Sequence, residues 1–214
     1  MDIDLYSDPS CPWCWTASEW LHAAATDREL TLRVRPFSLA LLDKPAPPSV
    51  SLARTWGLRA LRVATSLDDR HATAFLGEFS RALFDATRET REPDLGDVLE
   101  LVGCQRGLAF RADESWRDDA IRASMKAAAE LRGLPLDDTT TIPILVLHSA
   151  SGPVAVDGPL VDPAPGPSDA GALWDAFALL AGAEEMFGAT RPRRGPHSSV
   201  AALAGAALIE GKMS

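Results

Sequence analysis

At 214 residues the chain has room for one large domain, or for a small domain carrying an insertion, and it can bury a core without disulfide staples or a structural metal. A formal net charge of −9, with one short basic run at Arg191-Pro192-Arg193-Arg194, excludes an electrostatic nucleic-acid binder. No apolar run reaches the ~20 residues of a membrane span, and the acidic opening Met1-Asp2-Ile3-Asp4 lacks the basic region of a signal peptide, so the expectation is a cytoplasmic protein.

Ile3 and Leu5 alternate with Asp2, Asp4 and Tyr6, which predicts a strand over residues 2–7. Asp8-Pro9-Ser10 reads as a turn, with Ser10 or Cys11 as the N-cap of the next helix. From Cys14 to Thr26 the period is helical, and Trp13, Ala17, Trp20, Leu21 and Ala24 share a face. Leu30, Leu32 and Val34 then alternate with polar residues, predicting a second strand over 29–36. Strand, helix and strand at these lengths form a right-handed parallel unit, assigned to residues 1–49. Three prolines between Lys44 and Ser49 break the pattern, and residues 50–137 read as an all-helical insertion, including an amphipathic helix over Ser115–Arg132. Residues 138–188 return to strand character over 142–148. A hairpin turn follows at Ser151-Gly152, then a short strand over 153–156 and a proline-rich loop. A helix over 168–181 is expected to turn Leu173, Phe177 and Leu180 inward. Residues 189–214 are expected to form a peripheral tail. Set aside the helical block, and βαβ followed by ββα is the order of a thioredoxin-like α/β fold.

The chain has three cysteines, an odd count that argues against a secreted disulfide framework. Cys11-Pro12-Trp13-Cys14 is the sharpest signal. Two cysteines three apart at a helix start can close a disulfide within one turn, and the helix N-terminus stabilises a thiolate on the first of them. Pro12 suits the first turn, where its missing N–H costs nothing. Cys11 is therefore expected to be the exposed, attacking thiol and Cys14 the buried, resolving one. The competing explanation is half a zinc site, for which Cys104, His22, His71, His148 or His197 would have to complete the ligands. None of these forms a second spaced pair, and no metal is expected. Pro143, in Thr141-Ile142-Pro143-Ile144, opens a strand. In a thioredoxin-like layout its loop faces the cysteines, and a cis peptide would turn the Ile142 N–H and C=O toward an extended substrate. A trans proline opening an edge strand is the alternative. Trp13 is expected to border the reactive sulfur and Trp20 to pack in the core. Cys104 is expected to be a buried, inert thiol, with a regulatory thiol as the alternative. His22 is expected to lie about three turns from Cys11, too far to act as its base, His148 is expected to be structural, and His71 sits in a helical insert able to lid the site.

Asp8-Pro9-Ser10-Cys11-Pro12-Trp13-Cys14-Trp15, with Trp20 following, resembles the start of the mycothiol-dependent nitroreductases, which are cytoplasmic DsbA-like proteins of actinobacteria. The likeness continues at Ser38-Leu39-Ala40-Leu41-Leu42, Trp56-Gly57, Gly158-Pro159-Leu160, Gly171 with Leu173-Trp174-Asp175-Ala176, and Thr190-Arg191. The resemblance implies a DsbA-type thioredoxin core with a helical insertion, Cys11 as nucleophile, Cys14 as resolving partner, and a thiol-binding set of Pro12, Trp13, Ile142 and Pro143. It implies no tightly bound cofactor, but mycothiol or another low-molecular-weight thiol as electron-donating cosubstrate. It further implies a small acceptor such as a nitroaromatic, or protein disulfides, as the other partner, and a monomer or homodimer is expected. Ile142 stands where the family usually has Thr, and Asp43 where it usually has Asn. Two other functions compete: a glutathione-type isomerase resembling 2-hydroxychromene-2-carboxylate isomerase, in which a bound thiol does the chemistry, and a non-enzymatic chaperone or adaptor on a thioredoxin scaffold.

Overall fold

The computed structural model describes residues 1–42, 45–85, 91–137, 139–150, 152–162 and 164–183. The elements run β1 (Asp2–Ser7), α1 (Pro12–Asp27), β2 (Thr31–Pro36), α2 (Pro48–Ala64), α3 (Asp69–Phe84) and α4 (Leu95–Leu101). Two 3-10 segments follow, Arg106–Asp113 and Ser115–Arg117, then α5 (Asp118–Arg132), β3 (Ile144–Ser149), β4 (Gly152–Asp157) and α6 (Pro167–Ala181). Among the described residues between β2 and β3 there is no strand.

One sheet of order β2-β1-β3-β4 carries the core, with β1 and β2 parallel and the other pairs antiparallel. The period of two along each strand divides its side chains between two faces. Ile3, Leu5, Leu145 and Leu147 form one buried face with Val34. The other carries Asp4, Tyr6, Ile144 and Val146, and a charge cluster. Asp4 is nearly enclosed and accepts from Arg33 Nε at 2.9 Å and Arg35 Nε at 3.1 Å, and pairs with His148 Nε2 at 2.8 Å. Burial alone would raise the Asp4 carboxyl, but the hydrogen bonds from Arg33 and His148 and the arginine charges hold it below its ordinary range. His148 is thus structural, as expected. α5 packs across this face with Ile121, Met125 and Ala128 buried, and Arg132 pairs with Asp157 on β4 at 2.6 Å.

α1 and α6 pack on each other. Trp20 is fully buried, donates from Nε1 to Ala170 O at 3.1 Å, and meets Phe177 edge-on at 5.8 Å and Trp174 at 6.4 Å. Gly171 lets the end of α1 approach, since a Cβ there would sit 3.0 Å from Arg28 Nη1, and Arg28 in turn holds Asp175. The expected inner stripe of α6 is corrected. Leu173 and Leu180 are 39% and 41% exposed, and the buried residues are Ala170, Gly171 and Trp174. Three boundaries also move. β2 begins at Thr31 and β3 at Ile144, and Ser115–Arg117 is a 3-10 turn ahead of α5. α5 ends at Gly133, whose positive φ of 66° suits a residue without Cβ. The basic run at 191–194, the expected tail over 189–214, Asp43 and His197 lie outside the described residues.

Candidate active site

The chain leaves β1 at Ser7, turns through Asp8-Pro9-Ser10, and enters α1. Cys11 is the N-cap, with extended backbone and no side-chain cap bond, and Pro12 occupies the first helical position. Trp15 N donates to Cys11 O at 3.1 Å, which starts the helical ladder at the N-terminal end of α1. That end carries the positive pole of α1, and no acidic side chain lies in its first turn to neutralise it.

Both cysteines are free thiols, and they touch. Cys14 is fully buried. Cys11, expected to be exposed, is recessed, with 6% of its surface accessible. Burial first, and then the Cys11 thiol beside it, push the Cys14 thiol well above its ordinary range. A hydrogen bond from the Asp8 backbone opposes this, and the Asp8 charge adds to it.

Asp8 was legible in the sequence only as a turn residue. It is fully enclosed, with Oδ1 accepting from Ser10 N at 2.8 Å and Ser10 Oγ at 2.6 Å, and Oδ2 accepting from Leu39 N at 2.6 Å. Burial raises its pKa, against the pull of these donors and of the Arg54 charge. Cys11 N closes the turn onto Asp8 O at 2.9 Å. Helices α2 and α3 brace the turn from outside. Ser80 Oγ on α3 donates to Pro9 O at 3.0 Å, and Gly57 on α2 lies so close that a Cβ would fall 2.8 Å from Asp8 Oδ1. Neither Gly57 nor Ser80 stood out in the sequence as a site residue, because nothing local marks a contact with a turn about 50 and 70 positions upstream.

The β1–β3 register pairs Tyr6 with Ile144, so Pro143 comes alongside Ser7, at the end of the sheet where the cysteine turn begins. The Ile142–Pro143 peptide is cis. The Ile142 side chain is buried, and among the described residues its N–H and C=O have no backbone partner. Pro143 O accepts from Gly158 N at 2.8 Å. Gly158 has φ 117° and precedes a second cis proline, Pro159, which sequence reasoning passed over. Trp13 is half-buried in the first turn of α1, while Trp15 turns away to stack on Phe84 at 5.3 Å.

The remaining candidates lie elsewhere. His22 bonds Ser18 within α1, and the half-exposed His71 pairs with Asp68 at 2.6 Å. Cys104, expected to be buried, is half-buried, and partial burial followed by the Asp68 charge raises its thiol. Among the described residues no cluster of three or more His, Cys, Asp and Glu side chains is arranged to hold a metal ion. A cavity of about 500 Å³ opens beside Arg59 and α4, away from the cysteines. Among the described residues no helix is long and apolar enough to cross a membrane.

The Rv2466c-like family model, mycothiol-dependent nitroreductase Rv2466c, matches residues 10–191, from the cysteine turn to beyond α6. The chain belongs to this family. Solved structures agree on a DsbA-type thioredoxin fold. The cytosolic disulfide reductase DsbM from Pseudomonas aeruginosa aligns with TM-score 0.53 and 20% identity over 84% of this chain and 100% of its own. A 2-hydroxychromene-2-carboxylate isomerase aligns with TM-score 0.56 and 16% identity over 84% of this chain and 96% of its own. The family is one of thiol-dependent oxidoreductases, and the fold of this chain is shared with an isomerase as well as with a disulfide reductase.

Proposed function

We propose that the chain is a cytoplasmic thiol–disulfide oxidoreductase in which Cys11 attacks, Cys14 resolves, and a low-molecular-weight thiol of the mycothiol type returns the pair to its reduced form. The observation that carries this reading is the pair itself. Two free thiols touch at the positive end of α1, one just reachable from solvent and one sealed.

With a disulfide RSSR, the Cys11 thiolate attacks one sulfur, forms a mixed disulfide and expels RS⁻. Cys14 loses its proton, attacks Cys11 Sγ, and expels the second RS⁻. The protein gains a disulfide and the substrate leaves as two RSH. With a nitro acceptor, the dithiol supplies two electrons and two protons, giving a nitroso product and water. Cys11 is then regenerated through a mixed disulfide with the small thiol, and a second equivalent of that thiol leaves with the first as its disulfide. The raised Cys14 pKa fits the resolving role, because a group that stays protonated leaves first attack to Cys11. Pro12 and Trp13 on one side and Ile142 and Pro143 on the other frame the approach to Cys11. The Ile142 N–H and C=O, which have no backbone partner among the described residues, offer the bound thiol one donor and one acceptor. An isomerase needs a bound thiol but no resolving cysteine, so the intact pair favours redox chemistry.

The test is to mix reduced Cys14→Ser and Cys11→Ser variants with the disulfide of a small thiol and weigh the intact proteins. Cys14→Ser is expected to accumulate one adduct on Cys11, and Cys11→Ser none. The reverse pattern would exchange the roles. No adduct on either variant, across several disulfides, would remove the thiol-exchange mechanism.

A further inference from the structure

The loop from Gly158 to Val161 is tied to both halves of the redox site. At one end Gly158 N donates to Pro143 O at 2.8 Å, fastening the loop to the cis-proline turn. At the other end Thr16 Oγ1, buried one turn along α1 from Trp13, donates to Val161 O at 2.7 Å. Gly158 is buried and Val161 packs against the core. Between these two anchors Leu160 stands 57% exposed. A lone exposed leucine on a protein surface means little. This one is held between the two segments that carry Trp13 and Pro143, on a strap fixed at both ends, so its position relative to Cys11 is set before any ligand arrives.

We propose that Leu160 is a specificity-determining residue of the site, forming with Trp13 an apolar rim that favours disulfides bearing a neutral aromatic or otherwise apolar group next to the reacting sulfur. This rests on the thiol-exchange reading above and adds to it the residue that sets the preference among disulfides. The reaction reported by the test is the first half of the exchange. The Cys11 thiolate attacks an aromatic disulfide, bonds one sulfur and releases the other as an aromatic thiolate. Cys14 then displaces the second.

The experiment measures the second-order rate of reduced protein with two neutral disulfides, 4,4′-dithiodipyridine and bis(2-hydroxyethyl) disulfide. Leu160→Ser is expected to slow the aromatic probe about fivefold, the scale of a partly buried leucine side chain, and to leave the polar probe within about twofold of the parent. Leu160→Met, which keeps the apolar volume, is expected to restore the aromatic rate. Thr16→Val, which frees the strap from α1, is expected to weaken the same preference. If Leu160→Ser leaves both rates unchanged, or slows both equally without rescue by Leu160→Met, the specificity role is overturned while thiol exchange stands. If the parent protein reacts with neither probe, the thiol-exchange reading fails, and the rim proposal with it.

Discussion

A carboxyl group with no exposed surface needs donors on both oxygens, and among the described residues Ser10 and Leu39 supply them to Asp8. An asparagine here must turn an NH₂ toward one of those N–H groups. Asp8→Asn is therefore expected to destabilise the protein by about 1–3 kcal/mol, the cost of a buried group left unpaired. The same change removes a negative charge that raises the Cys14 thiol. Resolution of a mixed disulfide on Cys11 is then expected to set in at lower pH in the variant. A pH profile of adduct release that stays in place would show that the carboxyl acts on structure alone. Gly57 gives a second check. Its missing side chain accommodates Asp8 Oδ1 and Ser10, and Gly57→Ala is expected to cost about 1–3 kcal/mol in chemical denaturation by overpacking, although alanine is the better helix former. Cys11 and Cys14 were legible in the sequence because their spacing is local. The clamp around them was not, because Asp8, Leu39, Gly57 and Ser80 meet only once α2 and α3 have docked.

At the scale of elements, alternation in the strands and the change of period after Pro48 were enough to order the chain. β2 is an edge strand, and its Val34 N–H is taken up by Thr73 Oγ1 of α3 at 2.9 Å in a buried setting. Thr73→Val keeps the shape and removes the acceptor. It is expected to cost about 1–3 kcal/mol in urea unfolding, while Thr73→Ser stays close to the parent. An unchanged midpoint for Thr73→Val would mean that water replaces the hydroxyl. α6 shows where periodicity runs out. Leu173, Phe177 and Leu180 share one helical stripe and Ala170, Trp174 and Phe177 another, and both satisfy the period. Trp174 buries the larger surface and has Trp20 as its partner, so its stripe turns inward. That choice depends on α1, which the α6 sequence does not contain.

At the scale of the whole molecule, the sealed thiol links stability to pH. Cys14 titrates higher in the folded than in the unfolded chain, so its contribution is fully present below the unfolded thiol value, near 8.5, and is lost as pH rises through the raised folded value. The reduced protein is expected to lose stability progressively above about pH 8.5, with a flatter profile in a Cys14→Ala variant. Denaturant melts across that range check the slope, and parallel profiles would mean that Cys14 ionises as freely when folded as when unfolded. The sheet order has a consequence for biogenesis. β1 lies in the interior of the sheet, yet one neighbour, β2, follows it closely while the other, β3, begins only at Ile144. As the chain leaves the ribosome, the apolar edge of β1 is without its antiparallel partner until most of the protein has been made. Over that interval it is an open template for strand pairing with other nascent chains, which makes slow translation between β2 and β3 the stage at which this protein is most exposed to aggregation.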